Sequence, residues 1–208
     1  MSQPSLLVVG GGIAGASVAY WAAEAGAAVT LIDSGEAAAS QVPAALLNPV
    51  RGQSGKVTPQ MVAGLNCTWA LIAALERAGY APAHGQTGVQ RPVPDGRTRA
   101  TFERHLAALG PEAQPLFRWV NPPATQAAWH SALEWTSAGW VDGAALTQSL
   151  VAASGASVLR GQVTRWGADW AEVGGSVLRA GATVWCGGAR GTEWGPPGKA
   201  TGPAAYCC

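Results

Sequence analysis

Three glycines, Gly10, Gly12 and Gly15, follow directly on an apolar run at residues 6–9 and open a stretch of helical pattern over 13–25 that Gly26 closes. A second apolar run, residues 29–32, ends on Asp33. Short continuous apolar runs flanking a helix describe parallel strands covered on both faces, so residues 6–33 read as a βαβ unit with a right-handed crossover. Each glycine then has a task. Gly10 permits the tight turn, Gly12 lets a diphosphate approach the backbone, and Gly15 lets the helix lie against the strand, while the helix N-terminus turns N–H groups and a positive dipole end toward the phosphates. Asp33 stands where a carboxylate accepts hydrogen bonds from an adenosine ribose. It would also repel a 2′-phosphate, which favours FAD or NAD over NADP.

Composition narrows the function classes further. With 208 residues, 48% of them hydrophobic and 12% charged, the chain has enough apolar side chains for a core and too few charges for an extended disordered state. Thirteen Lys and Arg against twelve Asp and Glu, with no basic block, leave no electrostatic footprint for a phosphate backbone, so nucleic acid is not expected as a field-driven partner. Cys67, Cys186, Cys207 and Cys208 form no CxxC pair, which argues against a disulfide framework or a metal site and for a reducing cytoplasm. Residues 6–23 are uncharged, yet Gly10, Gly11 and Gly12 interrupt them and no Lys or Arg precedes them, so a soluble strand, turn and helix fits better than a membrane span.

Further along, Val62, Leu65, Trp69, Ile72 and Leu75 recur at helical steps within residues 60–78, and Gly79 closes the stretch. Residues 81–139 differ in character: they hold many of the prolines, extended pieces at 87–93 and 133–136, and a helical pattern at 101–109. The α/β grammar returns after Gly139, with a helix at 144–153, extended pieces at 157–159 and 162–166, and a hairpin about Gly174 and Gly175. A last strand at 182–186 runs into Gly187 and Gly188. The expected organisation is a Rossmann-like dinucleotide-binding domain from residues 1–80 and 140–194, interrupted by an incomplete α+β substrate module at 81–139 and followed by an aperiodic tail at 195–208. His84, His105 and His130 lack partners at useful spacing, and no triad or metal cluster can be assembled. Arg91 is a candidate to face an anionic group on a substrate.

Four stretches carry a resemblance to the FAD-dependent amine and amino-acid oxidases, the family of D-amino-acid, glycine and sarcosine oxidases, which also includes the flavin domain of a tRNA wobble-uridine modifying enzyme. They are Val8 to Ala19 continued by Leu31-Ile-Asp33, Ala39-Ser40 continued by Leu46-Leu-Asn-Pro49, Gly139-Trp-Val-Asp142 with the later Gly161 to Arg165, and Thr183 to Arg190. The resemblance implies FAD as cofactor. It places Gly10, Gly12, Ile13, Ala14 and Gly15 at the dinucleotide, Asp33 and Ser34 at the ribose, Ala39 and Ser40 beside the diphosphate, and Ala45 and Leu46 at the flavin. It also gives Val163 to the adenine and sets Gly187 and Gly188 where backbone passes the nucleotide. Ala45 departs from the glycine that relatives commonly have there, so its methyl would crowd the isoalloxazine ring.

The implied reaction is oxidation of an amine carbon by hydride transfer to flavin, with a small amine or amino acid as substrate and oxygen or another acceptor reoxidising the cofactor. No catalytic side chain is named by the resemblance. The family pattern stops near Trp194, short of the half that supplies the rest of the substrate sheet in relatives, so a truncated or frame-shifted product is expected. The alternatives are a non-catalytic remnant that binds FAD weakly or not at all, the flavin domain of the tRNA-modifying enzyme, and a nicotinamide-dependent reductase.

Overall fold

A computed structural model describes residues 3–36, 38–52, 54–121 and 128–188; the expected tail at 195–208, with Cys207 and Cys208, lies outside the described residues. The chain runs through β1 (Ser5–Val9), α1 (Ile13–Glu24), β2 (Ala28–Asp33), β3 (Ala45–Leu47), α2 (Pro59–Arg77), β4 (His84–Gly85), β5 (Val89–Val93) and α3 (Gly96–Ala107). A 3-10 turn, Pro111–Leu116, leads into β6 (Phe117–Val120), β7 (Ser131–Trp135), β8 (Gly139–Val141) and α4 (Gly143–Ser154). Then come β9 (Ser157–Arg160), β10 (Val163–Trp166), β11 (Trp170–Val173), β12 (Ser176–Arg179) and β13 (Ala182–Trp185). These elements divide into two compact units, residues 1–41 with 147–208, and residues 42–146; the division falls inside α4.

The first unit is built on a parallel sheet in the order β13-β1-β2-β9. Leu7 and Val9 on one face pack with Ile32 and with Val163, Ala171 and Val173 of the antiparallel β10-β11-β12 meander. Val8 on the other face packs with Ala19, Val29 and Leu31, and Val151 of α4 joins them. This is why residues 6–9 read as an unbroken apolar run: neither face meets water. Ala16 and Ala19 are fully buried, and their small side chains let α1 lie low on the sheet. The helix stops where Ala27 N–H donates to Ala22 C=O and Gly26 N–H to Ala23 C=O, a double bond pattern that requires the left-handed conformation Gly26 adopts at φ +86°. β9 is an edge strand, with Val158 and Leu159 exposed.

The second unit packs two antiparallel sheets, β5-β7-β6 and β3-β8-β4, with α2 and α3. Its core gathers Val93, Leu133 and Trp135 from the first of these sheets, Phe102 and Leu106 from α3, and Leu65 from α2. The Trp135 ring stacks on Phe117 at 6.0 Å between centroids, and its indole N–H donates to Ser137 Oγ at 3.1 Å. Residues 42–80, expected in the nucleotide domain, therefore belong to this unit. The physical reason is that the apolar stripe of α2, with Val62, Leu65 and Trp69, finds its partners on β5, β7 and α3. α3 also begins earlier than the expected residue 101, because Asp95 caps it: Thr98 N–H donates to Asp95 Oδ1 at 2.7 Å. No helix among the described residues is long and apolar enough to cross a membrane.

Two outcomes follow from this packing. Trp135→Ala, which empties a site only 1% exposed, is expected to lower the unfolding free energy by about 3–5 kcal/mol in urea titration. The Thr98 N–H bond holds the Asp95 carboxyl below the ordinary aspartate value, so the folded chain keeps that proton less tightly than the unfolded one. The contribution of the cap is then full above about pH 4 and fades as pH falls through the folded value. The gap in urea midpoint between the wild type and Asp95→Ala should be open at pH 7 and narrow steadily below about pH 4.

Candidate functional site

At the C-terminal end of β1 the chain turns through Gly10, whose φ of +108° suits glycine, and Gly10 N–H donates to Ile32 C=O at 2.7 Å. A Cβ on Gly10 would run into the carbonyl group of Cys186, whose own N–H donates to Val9 C=O at 2.7 Å. β1, β2 and β13 thus end together around one backbone crossing. A Cβ on Gly15 would collide with the Gly10 carbonyl oxygen, so the first turn of α1 rests directly on the strand end. Gly12 is the N-cap of α1 and offers no side chain to it, and the first turn carries no acidic residue. The positive end of the helix is therefore uncompensated by its own side chains.

Here the sheet order reverses: the chain goes from β1 to β2 and β9 on one side and reaches β13 on the other. A crevice outside the strand ends at such a reversal is where open parallel sheets bind ligands. A cleft of about 380 Å³ occupies it, within the usual range of roughly 300–1,000 Å³ for small-molecule sites. Of the residues expected at the nucleotide, Gly10, Gly12, Ile13, Ala14, Asp33, Ser34, Ala39, Ser40, Val163, Gly187 and Gly188 all line it. Gly15 lies beneath the turn. Ala45 and Leu46 belong to the second unit, where β3 pairs Ala45 with Val141 and Leu46 with Trp140, and Leu46 is 68% exposed. Arg91, half-buried on β5 opposite Leu133, is also in the second unit.

Hydrogen bonds fix the polar groups of the cleft. Ile13 N–H, in the first turn of α1, donates to Ser40 Oγ at 3.1 Å, which ties the loop after β2 to the helix start. Asp33 Oδ1 accepts from Gly11 N–H at 3.3 Å, and Oδ2 accepts from the Arg160 guanidinium across the β2–β9 pair. Among the contributors that sequence reasoning missed, three are fixed by contacts: Gly11, Trp185 and Arg160. Gly11 leaves the space that the carboxylate fills, since a Cβ there would lie 2.6 Å from Asp33 Cγ. Trp185 forms part of the wall, stacked on Trp166 at 5.3 Å and 17° between planes. Its indole lies over Gly187, where a Cβ would come within 2.6 Å of the ring. Arg160 is the third. The run of three glycines is the only local signal for Gly11, Trp185 is marked only by the strand that runs into Gly187 and Gly188, and no pattern singles out Arg160.

The sequence model of the FAD dependent oxidoreductase family, DAO, matches residues 5–203. The chain belongs to this family. It is similar in fold to glycine oxidase from Geobacillus kaustophilus, with a TM-score of 0.73 at 20% identity over 91% of this chain and 56% of that one. Iminodiacetate oxidase from Chelativorans sp. BNC1 gives 0.70 at 20% identity, covering 86% of this chain and 54% of the other. L-proline dehydrogenase from P. horikoshii gives 0.71 at 17%, covering 88% and 52%. The chain thus spans about half the length of these structures. No curated protein matches it.

The observed cradle suits the cofactor of the family. Small residues line the cleft at the start of α1, and a Cβ on Gly12 would sit 3.3 Å from Ser40 Oγ, so the space a side chain would take there is open to a ligand. Gly15→Ala is expected to abolish FAD retention and destabilise the first unit, because the contact it creates is with backbone. Gly96→Ala is the control: at the start of α3 its Cβ meets nothing within 4 Å, and the change should leave FAD binding intact while stabilising the fold by about 0.4–1 kcal/mol. Dialysis against FAD-free buffer followed by absorbance, with a urea titration on each variant, reads both.

Proposed function

We propose that this chain carries the FAD-binding framework of an oxidoreductase that oxidises a small amine or amino acid at the carbon bearing nitrogen. The observation that carries the reading is the convergence, in one cleft, of the Gly10–Gly15 turn, the N-terminus of α1 and the Asp33 carboxylate. When bound, FAD would supply the hydride acceptor that no side chain provides. The chain's own residues bind and orient. The turn at Gly12, Ile13 and Ala14 receives the diphosphate, and Ala39 and Ser40 flank it. Asp33 accepts the ribose hydroxyls with Ser34 beside it, Val163 lies against the adenine, and Gly187 and Gly188 pass the nucleotide. A primary or secondary amine donates the electrons, oxygen or another acceptor removes them, and the reaction takes place in the cytoplasm. The oxidase and dehydrogenase names of the similar structures support the amine class.

The test is direct. Protein reconstituted with FAD should hold a visible flavin spectrum through gel filtration, and that spectrum should bleach anaerobically with glycine, sarcosine or proline. Asp33→Ala should weaken FAD about tenfold, the loss of roughly one hydrogen bond to a charged group (~1.5 kcal/mol). A colourless protein that instead binds NADH in a fluorescence titration would overturn the reading in favour of a nicotinamide site.

A further inference from the structure

We propose that Arg160 is a positioning residue for the nucleotide: it holds the Asp33 carboxylate so that its remaining lone pairs face the 2′-hydroxyl side of the adenosine ribose. The inference rests on the FAD reading above and adds a residue to it. Asp33 and Arg160 occupy matched positions at the ends of β2 and β9, and Gly161 N–H donates to Asp33 C=O at 3.0 Å, so the backbones carrying the two side chains are pinned together. The guanidinium takes Oδ2, and Gly11 N–H takes Oδ1 at 3.3 Å from the other side. An ionised carboxylate offers about four acceptor positions, so roughly two remain for hydroxyl donors. With both oxygens engaged, rotation of the carboxylate about its Cβ–Cγ bond is restrained, and the free positions keep one direction.

Burial says where the effect must appear. The Asp33 side chain is 23% exposed and the Arg160 side chain 67%, and an ion pair this open to water contributes little to stability. Its value lies in orientation, because a bound ribose hydroxyl is rewarded only if the acceptor is already aimed at it. A cation next to Asp33 has a second chemical meaning, as a clamp for a 2′-phosphate, and the two roles predict different ligand preferences.

Calorimetric titration of the full chain separates them, with ADP, 2′-deoxy-ADP and 2′,5′-ADP as probes. The wild type should prefer ADP to 2′-deoxy-ADP by about tenfold, the worth of one hydrogen bond to a charged group. Arg160→Ala should collapse that preference to about twofold, leave the affinity for 2′-deoxy-ADP within about twofold and barely move the urea midpoint, and Arg160→Lys should restore part of it. Equal weakening of ADP and 2′-deoxy-ADP in Arg160→Ala would overturn the proposal, as would a loss concentrated on 2′,5′-ADP, which would make the arginine a phosphate clamp. A wild type that binds FAD and ADP without preference for the 2′-hydroxyl overturns this inference alone. One that binds neither overturns the FAD reading with it.

Discussion

The contact between the first turn of α1 and the end of β1 sets the geometry of the first unit. Because Gly15 has no Cβ, the helix descends onto the Gly10 carbonyl, and the N–H groups of its first turn arrive at the level of the strand ends. The cleft exists because of that descent. A helix lifted by even one methyl group would carry its N-terminus away from β13 and from the loop that Ser40 ties to Ile13. The buried alanines Ala16 and Ala19 continue the same close approach along the helix, so one steric condition is shared by the packing and the binding site.

The charges of the cleft lie side by side around the turn after β1. The α1 N-terminus presents a partial positive charge without a carboxylate from its own first turn to answer it. Beside it Asp33, which accepts from Gly11 N–H, brings a carboxylate that Arg160 offsets. A ligand that carries a diphosphate and a diol close to one another matches this pairing. The ion pair is not a buried one, since the carboxylate and the guanidinium both retain access to water.

Much of this was legible in the chain because it is local. The β1–α1–β2 unit announces itself through an apolar run, a glycine turn, a helical stretch and a second apolar run within thirty residues, and its capping glycine and acidic end followed from the same pattern. What escaped the reading was non-local. Arg160 meets Asp33 across 127 positions of sequence, and α2 shows its apolar stripe without showing that its partners are Val93, Phe102 and Trp135. The Asp95 cap was visible as a residue type, yet the helical pattern was counted only from residue 101, beyond the polar first turn it caps. A lone tryptophan at a strand end carries no period, so only the stack with Trp166, between two different sheets, reveals Trp185 as a wall of the cleft.

The indole of Trp185 has a consequence for how this part of the chain can change over time. It occupies the volume that a side chain at position 187 would need. Position 187 is thereby held as glycine by its neighbour two residues back, whatever ligand passes over it. Lineages that replace Trp185 by a small residue are released from that restriction, and the two positions should drift as a pair: a bulky ring at 185 with glycine at 187, or a small residue at 185 with freedom at 187.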